Sequence, residues 1–340
     1  MKRTIQFLLI IVFLVTLFSA WKIFGPSVTA PKDKFLYIKT DSAFHEMRNE
    51  LISQKIIPSS MWFDWVSKAM GFNKAKAGKY EIKKGMSLFE LVRMLKNGRQ
   101  TPVKLVITKF RLKEDFAKKL GQQFEFDSLA AMQFLSNNDS LKTYGLDTNT
   151  VLAAVMPDTY SFYWNSETKK VYQKLFDHWQ KFWNEERKKK AQAIQMDPLQ
   201  VTILASIVDE EVNLKSEKEK IASVYINRLH KNMLMQACPT IKYAMRDFAL
   251  TRIYNKHLTY QSPYNTYINP GLPPGPVCTP QPETIDIVLN APQTDYLYFV
   301  ANSDFSGTHI FSTNYEDHLK FAKKFAEAQD RQDSIRKANR

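Results

Sequence analysis

The first two dozen residues restrict this chain more than any other part of it. Ile5 to Trp21 carries no charged side chain and is built largely from Leu, Ile, Val and Phe, with Gln6, Thr16 and Ser19 as polar interruptions. At about 1.5 Å of rise per residue, such a helix is long enough to cross a hydrocarbon layer of roughly 30 Å. Lys2 and Arg3 precede the run and Lys22 follows it. The preference of positive charge for the cytoplasmic side then puts the N-terminus in the cytoplasm and everything after Lys22 outside. A cleaved signal peptide is the alternative, since Ser19 and Ala20 are small. A cut at Ala20 would, however, leave Phe18 where a small residue is needed. A buried helix of a soluble protein is the third reading, and no other segment of the chain is this apolar.

Beyond the run, the 340 residues are 44% apolar and 13% aromatic, enough for one large core or two to three smaller ones, which excludes a disordered chain. The net charge of +14 is spread along the sequence and forms no basic helix with interleaved aromatics, so nucleic acid is not an expected partner. A basic surface beside a bilayer suits anionic headgroups or a polymer bearing carboxylates. The two cysteines, Cys238 and Cys278, have neither zinc-site nor redox-pair spacing, and no metal or cofactor is expected.

The pattern predicts an α+β protein with these parts: residues 1–24 as cytoplasmic tip and transmembrane anchor, 25–34 as tether, and 35–101 as a small mixed module. A helical connecting section over 102–197, a catalytic domain over 198–325 and a terminal helix and tail over 326–340 complete it. In the small module, Ser87 and Glu90 form a capping box ahead of the apolar stripe Leu88, Leu91, Val92 and Leu95, and Asn97-Gly98 supplies the stop. Gly121 is expected to end one helix and Lys169–Ala193 to form one long, charge-rich helix. Ser216 and Glu219 are expected to cap the next after a helix from Leu199 to about Val212. The aromatic stretch Met156–Trp164 reads as a packed hinge more readily than as a sugar platform. Pro270 to Pro276 holds four prolines and two glycines, so it is a rigid loop wall. Tyr296–Val300 and Gly307–Ser312 suggest a hairpin, and Tyr315 starts a closing helix.

Three consecutive acids, Asp209, Glu210 and Glu211, end the helix that starts at Leu199. Successive residues are about 100° apart, so Leu204, Ile207, Val208 and Glu211 share a stripe, while Asp209 and Glu210 point elsewhere. A carboxyl held against apolar surroundings keeps its proton nearer to neutral pH, as a general acid for a glycosidic oxygen requires. The competing reading is structural: an inward glutamate paired with an arginine of a neighbouring helix, with Arg228 the obvious candidate.

Leu204–Val212, followed by Ser216-Glu-Lys-Glu-Lys-Ile-Ala-Ser-Val-Tyr-Ile-Asn-Arg-Leu229, resembles the YceG-like endolytic murein transglycosylase family. So do Gln236-Ala-Cys-Pro-Thr240, Ser262–Tyr267, Gly271–Gly275 and Tyr296–Val300, in the family's order. Ala77-Gly-Lys-Tyr80 with the Leu88 helix resembles its LysM-like module, and Pro157-Asp-Thr159 its mid-chain signature. Two positions depart from the family pattern: Asp209 stands where its motif has a first Glu, and Cys238 where it has Asp.

The resemblance implies a lyase of the cell inner membrane with its catalytic part in the periplasm. It would cut the MurNAc–GlcNAc β-1,4 bond within peptidoglycan glycan strands, leave a 1,6-anhydro-MurNAc end, and so terminate nascent strand elongation. Peptidoglycan synthases or division and elongation proteins are the implied protein partners. Glu211 matches the catalytic position and would serve as acid and then base. Gln236, Asn265, Thr266 and Tyr267, beside the proline loop, are the candidate sugar contacts. Cys238 and Cys278 are candidates for a disulfide if the compartment is oxidising. Two rivals remain open: a hydrolase using a second carboxylate such as Asp209 or Asp286, and a non-catalytic LysM-like peptidoglycan-binding scaffold.

Overall fold

The computed structural model describes residues 2–338, so Met1 of the tip and residues 339–340 of the tail lie outside the described residues. In chain order the elements of the first third are α1 (Lys2–Phe24), β1 (Phe35–Ile38), α2 (Phe44–Ser53), α3 (Ser60–Ala69), β2 (Gly78–Glu81), α4 (Leu88–Asn97) and β3 (Val103–Ile107). The middle holds α5 (Lys113–Gln123), α6 (Ser128–Leu135), α7 (Asn138–Lys142), a 3-10 turn at Val151–Ala154, β4 (Asp158–Phe162), α8 (Thr168–Phe182) and α9 (Glu185–Ala193). The last part holds α10 (Pro198–Glu211), α11 (Lys215–His230), α12 (Cys238–Met245), α13 (Asn255–Leu258), α14 (Pro282–Leu289), β5 (Tyr298–Ala301), β6 (His309–Ser312) and α15 (Tyr315–Ala338). Among the described residues the sheets are three separate strand pairs, β1–β2, β3–β4 and β5–β6, and most of the other elements are helices. The fold class is mixed α+β.

Two compact units form. One comprises the chain up to Leu105 with Leu120–Asp127 and Tyr160–Glu167; the other comprises Val106–Lys119, Ser128–Thr159 and the chain from Thr168 onward. In the first unit, β1 and β2 pair antiparallel with Leu36 opposite Tyr80. Both side chains are fully buried with Met47, Leu51, Phe63 and the α4 stripe Leu91, Val92 and Leu95. The α4 signals are used as the sequence suggests: Ser87 Oγ accepts from the Glu90 amide, the Glu90 carboxylate accepts from the Ser87 amide, and Gly98 takes a left-handed φ of 65° at the C-cap. α1 has a mean hydropathy of 2.4 over its most apolar 18 residues, and it is apolar and exposed on all sides, which suits a membrane span or a signal segment. Residues 25–34 do not run free. Val28 is buried and its amide donates to the Met86 carbonyl, and the Thr29 amide donates to that of Ile56.

The second unit is built around α10, whose residues Val201 to Asp209 are all buried because α9, α11, α12 and α14 pack around it. β5 and β6 form the antiparallel terminal hairpin, with Phe299 opposite Phe311, and α15 packs against it. Three expected boundaries differ. α5 runs through Gly121 to Gln123, because a glycine near a helix end costs too little to stop it. The expected long helix breaks into α8 and α9 at Trp183, where the ring is buried in the core and Asn184 recaps the chain by accepting from the Arg187 amide at 2.9 Å. α11 starts at Lys215 after Leu214, so Ser216 lies inside the helix and makes no cap.

Candidate active site

The site rests on how α10 begins and ends. Asp197 caps it by accepting from the Gln200 amide at 2.8 Å, while Gln200 Oε1 accepts from the Asp197 amide at 2.9 Å, and Pro198 suits the first turn, where its missing N–H costs nothing. The far end, Asp209-Glu-Glu211, stops against an extended Val212. Helical periodicity makes Glu211 the one inward-facing acid, but α10 is central and Asp209 is only 3% exposed. Asp209 is buried while Glu210 and Glu211 are half-buried, and the three differ above all in their partners.

Asp209 is held by two lysines. Lys218 Nζ lies 2.5 Å from one of its carboxylate oxygens and Lys109 Nζ 2.8 Å from the other, and Thr284 donates to it at 2.7 Å. Burial raises its pKa, but the hydrogen bonds from Lys109, Lys218 and Thr284 outweigh that and hold it below the ordinary value. Glu210 is taken by Arg111, 2.8 Å away, and by Lys109 at 3.2 Å. Glu211 has no cation in contact among the described residues. Its Oε1 accepts a 2.5 Å hydrogen bond from the Tyr225 hydroxyl, one α11 turn after Ile221. Burial drives the Glu211 pKa up. The Tyr225 bond and the nearby charge of Lys242 pull it partly back, Glu210 pushes it up again, and the result is about 7. A carboxyl balanced there can both give and take a proton near neutral pH.

Arg228, the expected partner of an inward Glu211, is occupied elsewhere: it donates to the carbonyls of Leu297 at 2.6 Å, Met235 at 2.8 Å and Leu234 at 3.1 Å. It thereby ties α11 to the loop before α12. Asp286, nominated as a second carboxylate, is gripped by Arg187 at 2.7 and 2.9 Å, and Asp209 is locked between its lysines. Neither is free to activate water.

The four candidate sugar contacts separate into two kinds. Asn265 is fully buried: its amide donates to the carbonyls of Leu258 and Tyr260, and its oxygen accepts from the Tyr267 amide. Thr266 is also buried, accepting from the Ala237 amide at 3.0 Å and sharing a hydrogen bond with Thr240. Thr266 staples the loop to the start of α12, and Asn265 ties it to the end of α13 and to its own turn. Gln236 is exposed at a strained φ of 54°, and its Oε1 lies 3.3 Å from Arg228. Tyr267 is part-exposed with its hydroxyl 3.3 Å from Cys238 Sγ.

The expected disulfide is not formed. Both thiols are free, Cys238 with Tyr267 as partner and Cys278 donating to the Ser206 carbonyl at 3.4 Å. Each sulfur faces its own neighbour, so the pair does not meet. Burial pushes the Cys238 thiol up to about 11, with the Glu211 charge adding to it, which keeps it neutral beside the acid.

The proline loop is pinned where it returns. The Val277 amide donates to Ser206 Oγ on α10, and Phe110 and Thr279 exchange hydrogen bonds at 2.8 and 2.9 Å, setting Lys109 and Arg111 against the acids. Gly275 is required, because a Cβ there would lie 2.1 Å from the Asn149 carbonyl oxygen.

Tyr225 and Lys242 are the residues that the sequence reading missed. Tyr225 could have been found, since it lies four residues after Ile221 on the face that α11 turns to α10. Lys242 lines a cavity of about 130 Å³ with Arg111, Glu210, Pro239, Phe248 and Val277, and has no ion-pair partner among the described residues. Also among these residues, no group of three or more His, Cys, Asp or Glu is gathered to hold a metal ion.

The sequence profile described as the YceG-like family matches residues 36–324. The chain is similar to a Bacillus subtilis (strain 168) protein named endolytic murein transglycosylase, with 27% identity over 329 residues and 89% of each chain covered. A protein of the same name from Streptococcus pneumoniae serotype 2 (strain D39) is 27% identical over 319 residues; the match takes in 83% of this chain but 56% of that longer relative. Among solved structures, a yceG-like protein from Listeria monocytogenes has the same fold, with a TM-score of 0.56 at 24% identity, covering 85% of this chain and 99% of the other.

Proposed function

The chain belongs to the YceG-like family, and from that premise we propose that it is an endolytic murein transglycosylase, a lyase cutting within peptidoglycan glycan strands, with Glu211 as its catalytic carboxylate. The observation that carries this reading is the contrast among three adjacent acids. Asp209 and Glu210 are ion-paired, while among the described residues Glu211 is held by the Tyr225 hydroxyl alone, with its pKa near 7.

In the proposed reaction the protonated Glu211 gives its proton to the glycosidic oxygen between MurNAc C1 and GlcNAc O4, and that C1–O bond breaks. The resulting carboxylate then takes the proton from the C6 hydroxyl of the same MurNAc as its oxygen bonds to C1. The products are a 1,6-anhydro-MurNAc end and a GlcNAc with a free 4-hydroxyl, and no water is consumed. A single carboxylate suffices because its two protonation states are used in turn. Cleaving nascent strands in this way would end their elongation. Lys242 and Arg111, beside Glu211 and Glu210, suit the carboxylates that peptidoglycan stems carry.

The anchor α1 would hold the body on the outer face of the inner membrane, where its polymer lies. The β1-α2-α3-β2 order supports reading residues 35–101 as the LysM-like module; residues 102–197 would then be the connecting section and 198–325, which hold α10 and Glu211, the catalytic domain. Gln236 and Tyr267 remain the proposed sugar contacts, because Asn265 and Thr266 are spent on the loop. The test is release of soluble fragments from purified peptidoglycan by the full-length chain in detergent. A binding scaffold would sediment with the polymer and release nothing.

A further inference from the structure

The end of α1 is not loosely tied to the first unit. The Phe24 ring lies 5.4 Å from that of Phe89 on α4, Ile23 packs on the unit's core, and α1 touches both α3 and α4. The exposed faces of α3 and α4 therefore flank the point where the apolar helix ends.

Those faces are unusual for a surface meant for water. Trp65 is 71% exposed and Met61 56%, one helical turn apart on the side of α3 opposite the buried Phe63 and Val66; Trp62 sits edge-on to Trp65 at 6.3 Å, and Lys68 shares their stripe. Beside α4, Lys83, Lys84, Arg93 and Arg99 are exposed around a cavity of about 490 Å³, and none of the four has an ion-pair partner among the described residues. Arg93 lies over the Phe89 ring that meets α1, and Glu90, an acid of that rim, is spent on Ser87. Tryptophans flanked by lysine and arginine next to a span are the composition that settles at the headgroup level of a bilayer.

We propose that the first unit docks on the surface of an anionic phospholipid bilayer, with Met61 and Trp65 entering the headgroup layer and Lys83, Lys84 and Arg93 taking lipid phosphates. The docked unit fixes how the chain leaves the membrane, which a free tether would not. This rests on α1 as a membrane span.

The test uses the full-length chain in nanodiscs whose lipids carry bromine near the top of the acyl chain, which quenches tryptophan only at close range. In a Trp21→Phe background, discs rich in phosphatidylglycerol should quench part of the emission, and adding Trp65→Phe should remove that part. Discs of phosphatidylcholine alone, or Lys83→Glu with Lys84→Glu, should lower it. Equal quenching with and without Trp65 would overturn the proposal while leaving the span intact, because Trp21 in the unaltered chain would still be quenched. An unquenched Trp21 would remove the span and the docking with it. Quenching of Trp65 that ignores lipid charge would overturn the phosphate contacts, and shielding of Trp65 from aqueous iodide by glycan strands instead of by lipid would give the face to the polymer.

Discussion

Replacing Glu211 by Gln should abolish strand cleavage and at the same time make the protein more stable, with a gain that depends on pH. The wild-type carboxyl is raised by burial from its ordinary 4.5 to about 7. Each tenfold step between folded and unfolded proton affinity is about 1.4 kcal/mol, so ionised Glu211 costs the fold about 3 kcal/mol, reduced toward about 2 by solvent at its exposed edge. The sign follows from which state holds the proton. Below 4.5 both states are protonated and nothing is lost; between 4.5 and 7 the unfolded chain ionises first, so stability falls as pH rises; above 7 the loss is complete. Gln carries no charge at any pH and still accepts from Tyr225. Denaturant unfolding of both proteins at pH 5 and pH 8 should show their difference widening by about 2 kcal/mol, while turnover falls by roughly 10² to 10⁴ or more. A stability difference of the same size at both pH values would refute the buried-carboxyl reasoning, and near-normal turnover would refute the choice of residue.

Tyr225→Phe removes the hydroxyl that donates to Glu211; that bond favours the ionised form, so the alkaline limb of the pH–rate profile should move to higher pH and turnover should fall by about tenfold. Asp209→Asn leaves Lys109 and Lys218 around a neutral amide, and urea unfolding should show a loss of about 3 to 5 kcal/mol, accompanied by lowered activity from the displaced end of α10. Asn265→Ala strips the donors from the Leu258 and Tyr260 carbonyls and should cost about 1 to 3 kcal/mol in the same assay, raising the Michaelis constant as the loop loosens.

Local signals carried much of the fold. The Ser87–Glu90 box, the Gly98 stop and the terminal hairpin are set by residues within a few positions of one another, and they form where the sequence puts them. The interruption at Trp183 and the uncapped start of α11 at Lys215 depend on packing, because a buried ring or a neighbouring helix can override a run of helix formers. At the site, helical periodicity turns Glu211 inward and Asp209 elsewhere, but Asp209 is the buried one of the two and Glu211 is half-buried. Periodicity describes one face of a helix, whereas α10 is covered on every side. What sets the acids apart comes from far along the chain: Lys109 meets Asp209 across 100 residues and Thr284 across 75. The Cys238–Cys278 bridge failed for the same reason, since spacing along the chain does not tell where two thiols point.

The claim that one carboxylate serves as acid and then base, with the sugar's own C6 hydroxyl as nucleophile, is tested most directly by mass spectrometry of glycan strands digested in ¹⁸O-labelled water. The mechanism predicts products ending in 1,6-anhydro-MurNAc with no label at C1, because no water enters the new bond. A labelled reducing end would mean that water attacks C1 and that a second group activates it, which contradicts the single-carboxylate account.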